Sequence, residues 1–199
     1  MLVHRGVHHA SLGIEETLLP RAREIGDGQV VVPAFRVAVI VRSESGDVSG
    51  AVALVEELDE LARGRTGVRS WLLSGASRAC LGAGASELLR SMIDQGTEHL
   101  LRDANCVVSA RAVLAEIEGA HDQAVEGYDD AAARWASFPS ILEHGHALSG
   151  TGRCLLALGR PFDAAERLTR ARSAYALLEA TPLVAEVDAL LAEATAKTS

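Results

Sequence analysis

The stretch Gly152-Arg153-Cys154-Leu155-Leu156-Ala157-Leu158-Gly159-Arg160-Pro161-Phe162-Asp163-Ala164-Ala165-Glu166-Arg167-Leu168-Thr169-Arg170-Ala171 decides the fold. Gly159 divides it. Gly152 stands seven residues before that glycine, and Ala164, Leu168 and Ala171 follow it by five, nine and twelve. Two helices approach closely only where Gly or Ala removes a side chain, and a large residue then fills the gap beside them. Small, turn, small, large, small is therefore the order expected of a helical hairpin. Pro161 suits the first turn of its second helix, where a missing N–H costs nothing.

Upstream the same arithmetic returns. Ala112 stands seven before Gly119, and Ala124, Tyr128 and Ala131 follow it by five, nine and twelve. Around Gly46, Ala51 and Val55 keep the positions after the turn, with Val39 where a small residue belongs. Around Gly82 or Gly84, Trp71 and Gly75 precede the turn, but Glu87 stands where Ala belongs, so this unit reads as degenerate. Counting Gly6, the turn glycines recur every 35 to 40 residues. The spacings of seven before and five, nine and twelve after the turn are those of the tetratricopeptide (TPR) pattern, and the recurrence is slightly longer than its unit of about 34 residues. The expected fold is all-α, with tandem antiparallel helical hairpins in a TPR-like solenoid.

One domain is expected over 1–199, with repeats roughly at 30–63, 68–96, 103–136 and 140–179. Helices are expected at about 12–26, 30–44, 49–63, 68–81, 85–96, 103–118, 121–136, 140–158, 161–179 and 182–196. Pro33 is expected to mark the start of its helix, and Pro20 to bend or shorten its own. Thr181 is expected as N-cap and Pro182 as first helical residue of a capping helix, 182–196. Its stripe is Leu183, Val184, Val187, Leu190, Leu191 and Ala194, opposite Glu186, Asp188 and Glu193. Leu2, Val3 and Val7 read as parts of a hairpin whose partner helix is absent, so the array is expected to begin in mid-repeat.

Composition narrows the function. The chain is 48% hydrophobic and only 4% aromatic, with a net charge of −8. That balance argues against nucleic-acid binding, which favours a basic face. Lys197 is the only lysine, so chemistry that needs an internal lysine, a P-loop or a Schiff base, has no residue to use. Cys80, Cys106 and Cys154 form no CxxC pair and suit a reducing compartment as small hydrophobes. No run approaches the ~20 apolar residues of a membrane span. The expectation is a cytoplasmic protein with no membrane contact.

Arg21-Ala22-Arg23-Glu24-Ile25-Gly26-Asp27-Gly28-Gln29-Val30-Val31-Val32-Pro33-Ala34 and the Gly152–Pro161 run, with Ala171-Arg172 and Leu178-Glu179-Ala180-Thr181-Pro182, carry a resemblance. They are similar to the C-terminal TPR-like region of large, mostly actinobacterial, multidomain signalling proteins. In those, an adenylate/guanylate cyclase or transcriptional-regulator domain is joined to an AAA-type ATPase and then to a helical-repeat tail. The resemblance spans nearly the whole chain and is best at the final repeat and cap. No position here matches the cyclase's metal-binding aspartates or the ATPase's P-loop, so it implies a regulatory or interaction platform and no catalysis.

Other constellations read as structure. His4, His8 and His9 lack a Cys or phased carboxylate to complete a metal set, and His144 and His146 point to different helix faces. Gly82-Ala83-Gly84-Ala85-Ser86 follows no strand and matches no phosphate-binding pattern. Ser74-Gly75-Ala76-Ser77 sits in mid-helix, unlike a nucleophile elbow. Glu56-Glu57, Asp59-Glu60 and Asp129-Asp130 read as solvated helix faces. No catalytic, cofactor or metal site is expected. In a TPR array the first helix of each hairpin lines the groove, which gives His146, Ser149, Arg153 and Leu156 in the last repeat and Cys106, Ser109, Val113 and Glu116 in the one before. They are mixed in character, without a repeated Lys/Asn clamp. The expected role is a non-catalytic interaction or regulatory scaffold whose partner is a protein or peptide, an upstream cyclase or ATPase domain or a second copy. The alternatives are an Arg-rich nucleic-acid-associated regulator fragment and a small helical enzyme.

Overall fold

The computed structural model describes residues 8–62, 66–96, 98 and 100–198; the described side chains exclude those of residues 8–15, 44 and 66–71. Leu2, Val3, Val7, His4, Gly6 and residues 63–65 lie outside the described residues, as do the side chains of His8, His9 and Trp71. Among the described residues the chain is all-helical, without a strand. The helices are α1 (His8–Ile25), α2 (Gly28–Glu44), α3 (Val48–Leu61), α4 (Thr66–Ala83), α5 (Ser86–Asp94), α6 (Leu101–Ile117), α7 (His121–Ser137), α8 (Ile141–Ala157), α9 (Pro161–Leu177) and α10 (Thr181–Ala196). Each expected helix has its counterpart, with ends displaced by a few residues.

The turns follow from backbone chemistry. A left-handed residue after a helix lets the next N–H reach back to an orphan carbonyl. Gly159, at φ 70°, does this after α8, and the Arg160 N–H bonds the Leu155 carbonyl at 2.8 Å. The ambiguity between Gly82 and Gly84 resolves the same way. Gly82 lies inside α4, and Gly84 turns at φ 65°. Counted from Gly84, Ser77 stands seven before, Ile93 nine after and Gly96 twelve after, so this unit keeps more of the pattern than a count from Gly82 suggests.

Three local expectations are corrected. Pro33 lies inside α2, which starts at Gly28 behind an Asp27 cap that accepts from the Gln29 N–H at 2.7 Å. Pro20 lies inside α1 without shortening it. Both prolines are exposed, on the side where a carbonyl left without its N–H partner meets water. The N-cap of α10 is Ala180, not Thr181, because the Val184 N–H bonds the Ala180 carbonyl at 3.0 Å and so starts the helix one residue earlier.

The chain divides into two compact units, whose main spans are Val7–Ala110 and Arg111–Ser199, so that the division falls within α6. In the first, α2 packs against α1, α3 and α4, and α4 against α3 and α5. Phe35, Ala38, Val41, Ala51, Val55, Leu73 and Leu89 are buried there. Arg23 pairs with Glu57 at 2.6 Å and lays its guanidinium over Phe35, 5.3 Å from the ring centre. A cavity of about 10 Å³ remains beside Val39, Leu72, Gly75 and Met92.

In the second unit α8 lies against both α7 and α9. A Cβ built on Gly152 would stand 2.5 Å from Leu168 Cδ2. On Gly150 it would stand 2.5 Å from Tyr128, and on Gly145 2.7 Å from Tyr175. The small residues of α8 are thus seats for large residues of its neighbours. Between α6 and α7, a Cβ on Gly127 would stand 3.0 Å from that of Ala112. Gly75 of α4, with nothing within 4 Å of its built Cβ, serves as a control. Gly152→Ala should destabilise the chain by about 1–3 kcal/mol through overpacking, whereas Gly75→Ala should stabilise it by about 0.5–1 kcal/mol through helix propensity alone. Urea unfolding of the two variants checks both signs.

Candidate functional site

Three of the eight positions expected to line a groove, Glu116, Ser149 and Arg153, converge in the second unit, but on each other. Glu116 near the end of α6 takes a two-point bond from Arg153 of α8, Nε to Oε1 at 2.8 Å and Nη2 to Oε2 at 3.0 Å. The Tyr128 hydroxyl of α7 donates to the same Glu116 Oε2. Arg153 Nη1 reaches Ser149 Oγ at 3.4 Å and stands 3.9 Å from Glu186 of α10. One planar guanidinium therefore links α8 to α6 and α10, and Glu116 brings in α7 through Tyr128. The Glu116 side chain is 11% exposed and that of Arg153 26%, so the pair is largely screened from water.

The electrostatics follow from that burial. The carboxylate beside Arg153 holds its guanidinium protonated more firmly than in water, against the cost of burial. Tyr128 is pushed well above its ordinary range, first by burial and then by the Glu116 carboxylate, so it stays a hydrogen-bond donor. Burial also pushes the Cys154 thiol up to about 12, and Cys80 in the first unit likewise to about 12. None of the three cysteines is in a disulfide, and all three are buried. Arg153 pulls Cys154 the other way and loses to burial and Glu116. A thiol so placed is a core residue and not a nucleophile.

His146 is half-buried, with Nδ1 2.9 Å from the Tyr175 hydroxyl and the two rings edge to face at 5.5 Å. Ser149 and Leu156 are 2% and 4% exposed. Of the four residues expected in the last groove, His146 and Arg153 are therefore the partly open ones. Of the other four, Cys106 is buried and 3.3 Å from Ser74 Oγ, Ser109 is half-buried and Val113 is buried. Asp129, expected on a solvated face, instead bonds Thr151 at 3.3 Å and Arg167 at 3.1 Å. His144 contacts the Ala132 carbonyl at 2.9 Å, tying α8 to α7.

Two members of the site escaped the sequence reading. In the sequence pattern Tyr128 holds a packing position, yet a buried Tyr carries a hydroxyl that needs a partner. That mismatch with Leu168 at the same position of the next hairpin was the available signal. Glu186 was placed on a solvated face; it is exposed and still within reach of Arg153.

Several of the described arginines end on carboxylates. Arg42 pairs with Asp47, Arg90 with Glu87, Arg134 with Asp130, Arg160 with Asp163, Arg167 with Asp129 and Arg172 with Asp188. Exposed pairs of this kind add little stability, but each cancels a cation. Among the described residues no three His, Cys, Asp or Glu side chains gather as a metal set, and no helix is long and apolar enough to cross a membrane. No family model matches the sequence, and no curated protein matches it.

Two outcomes follow. Tyr128→Phe should cost about 1 kcal/mol, and Arg153→Ala about 2 kcal/mol or more, because the second leaves Glu116 screened from water without its cation. Thermal unfolding ranks them. The raised thiols also set a pH slope. In the unfolded chain they ionise near 9, in the folded chain near 12. Folded stability is whole below pH 9 and falls between pH 9 and 12, by up to about 1.4 kcal/mol per pH unit for each thiol. Urea midpoints at pH 8 and pH 10 check it, with Cys80→Ala and Cys154→Ala flattening the slope.

Proposed function

We propose that the chain is a non-catalytic interaction module built of TPR-like hairpins, with a protein or peptide as its partner. The observation that carries this is the shared register of two hairpins. Ala112, Ala124, Tyr128 and Ala131 about Gly119, and Gly152, Ala164, Leu168 and Ala171 about Gly159, hold the same places, and all eight are buried about a left-handed glycine. Hairpins of this kind bury their apolar faces against neighbours and present the remaining face to partners. The TPR assignment and the resemblance to cyclase/ATPase signalling tails support a regulatory role, with an upstream cyclase or ATPase domain or a second copy as the candidate partner. The nucleic-acid alternative loses support from the arginines that end on carboxylates.

His146 and the open edge of Arg153 mark the surface to test. A peptide array probed with the full chain should give binders whose affinity drops about tenfold or more in His146→Ala, the size of one well-made contact. Exposed Phe162, at the start of α9, supplies the control, and Phe162→Ser should leave those binders unchanged. Binders indifferent to His146→Ala, or an array without binders, would overturn the assignment of this surface.

A further inference from the structure

We infer that α10 is a displaceable strap, hinged at Glu179, that closes over part of the candidate groove. The inference rests on the interaction reading for its purpose and on separate observations for its mechanics. The hinge is unusual. After α1, α2, α4, α6 and α8 the left-handed residue is glycine, whereas after α9 it is Glu179, at φ 55°. It makes the same reach-back bond, Ala180 N–H to the Tyr175 carbonyl at 3.0 Å, with a side chain in a region that L-residues disfavour. Opening α10 frees that backbone to relax, which lowers the cost of opening.

The grip of α10 is correspondingly light. Only Leu183, Val187 and Ala194 are buried along it, while Val184, Leu190 and Leu191 are half-buried. By contrast α8 buries ten residues, so the two helices differ greatly in what holds them. The other links of α10 are polar and partly exposed. Arg172 of α9 holds Asp188 at 2.6 Å, Glu186 stands 3.9 Å from Arg153, and Lys197 Nζ lies 3.5 Å from the Leu156 carbonyl.

Two of these links fall on Arg153 and Leu156, half of the residues expected to line the last groove. Closed, α10 sets a carboxylate against the open edge of Arg153 and an ammonium against the end of α8. Open, it releases both. The strap thus competes with any ligand that presents a carboxylate to Arg153.

Hydrogen exchange on the full chain, followed by mass spectrometry, tests this. Amides of 183–196 should exchange about tenfold or more faster than those of α8 and α9, as a separate opening unit. Glu179→Gly removes the hinge strain at some cost in chain entropy. It should slow α10 exchange about three- to tenfold and leave α8 and α9 unchanged. Exchange of α10 in step with α8 and α9, or a Glu179→Gly effect that is absent or spread equally over all three helices, would overturn the strap. The measurement uses no ligand, so its failure is distinct from failure of the peptide array.

Discussion

Side-chain removal along α8 is the constraint on which the second unit depends. Tyr128, Leu168 and Tyr175 come from the helices on its two sides, and each occupies volume that any Cβ at Gly150, Gly152 or Gly145 would claim. Helix propensity argues against three glycines in one helix by about 1 kcal/mol each. The packing of three large residues outweighs that cost, since burying a Leu-sized side chain contributes roughly 1.5–3 kcal/mol. The polar contacts come second in this order. The aromatic bodies must first lie against α8 before Tyr128 meets Glu116 and Tyr175 meets His146.

This ordering also explains why a charged pair is tolerated so deep. Taking Arg153 and Glu116 out of water is costly unless geometry and additional hydrogen bonds restore what solvation supplied. The fork-on-carboxylate geometry, the Tyr128 hydroxyl and the Ser149 hydroxyl supply them. The cluster then specifies which rotation of α6, α7 and α8 is compatible with satisfied polar atoms. Greasy packing alone, among so many alanines, would define that rotation less sharply.

Much of the fold was legible because its punctuation is local. Gly159 and Pro161 announce a stop and a start within three residues, and Ala164 and Leu168 announce a packed face. The polar site was less legible for the opposite reason. Glu116 and Arg153 are 37 residues apart, and their meeting depends on the rotational phase of two helices, which no single-helix period reports. Reading both as groove positions put them on first helices of successive hairpins without pairing them with each other. Glu179 was invisible as well. Nothing in Leu178-Glu179-Ala180-Thr181-Pro182 requires a left-handed glutamate, and the conformation emerges only because α9 must end where α10 begins. Pro33 misled because the usual argument assumes a helix interior closed to water, whereas its helix faces solvent there.

The glycines of α8 have a meaning for heredity as well as for packing. Every amino-acid substitution one nucleotide away from a glycine codon installs a larger side chain. At Gly145, Gly150 and Gly152 each of those is an intrusion on a ring or a branched chain already in place. These three codons therefore have no harmless neighbours, while the outward faces of α7 and α9 can drift. Lineages of this protein should hold these positions of α8 nearly still and vary around them, so that residues with no side chain become the slowest part of the gene to change.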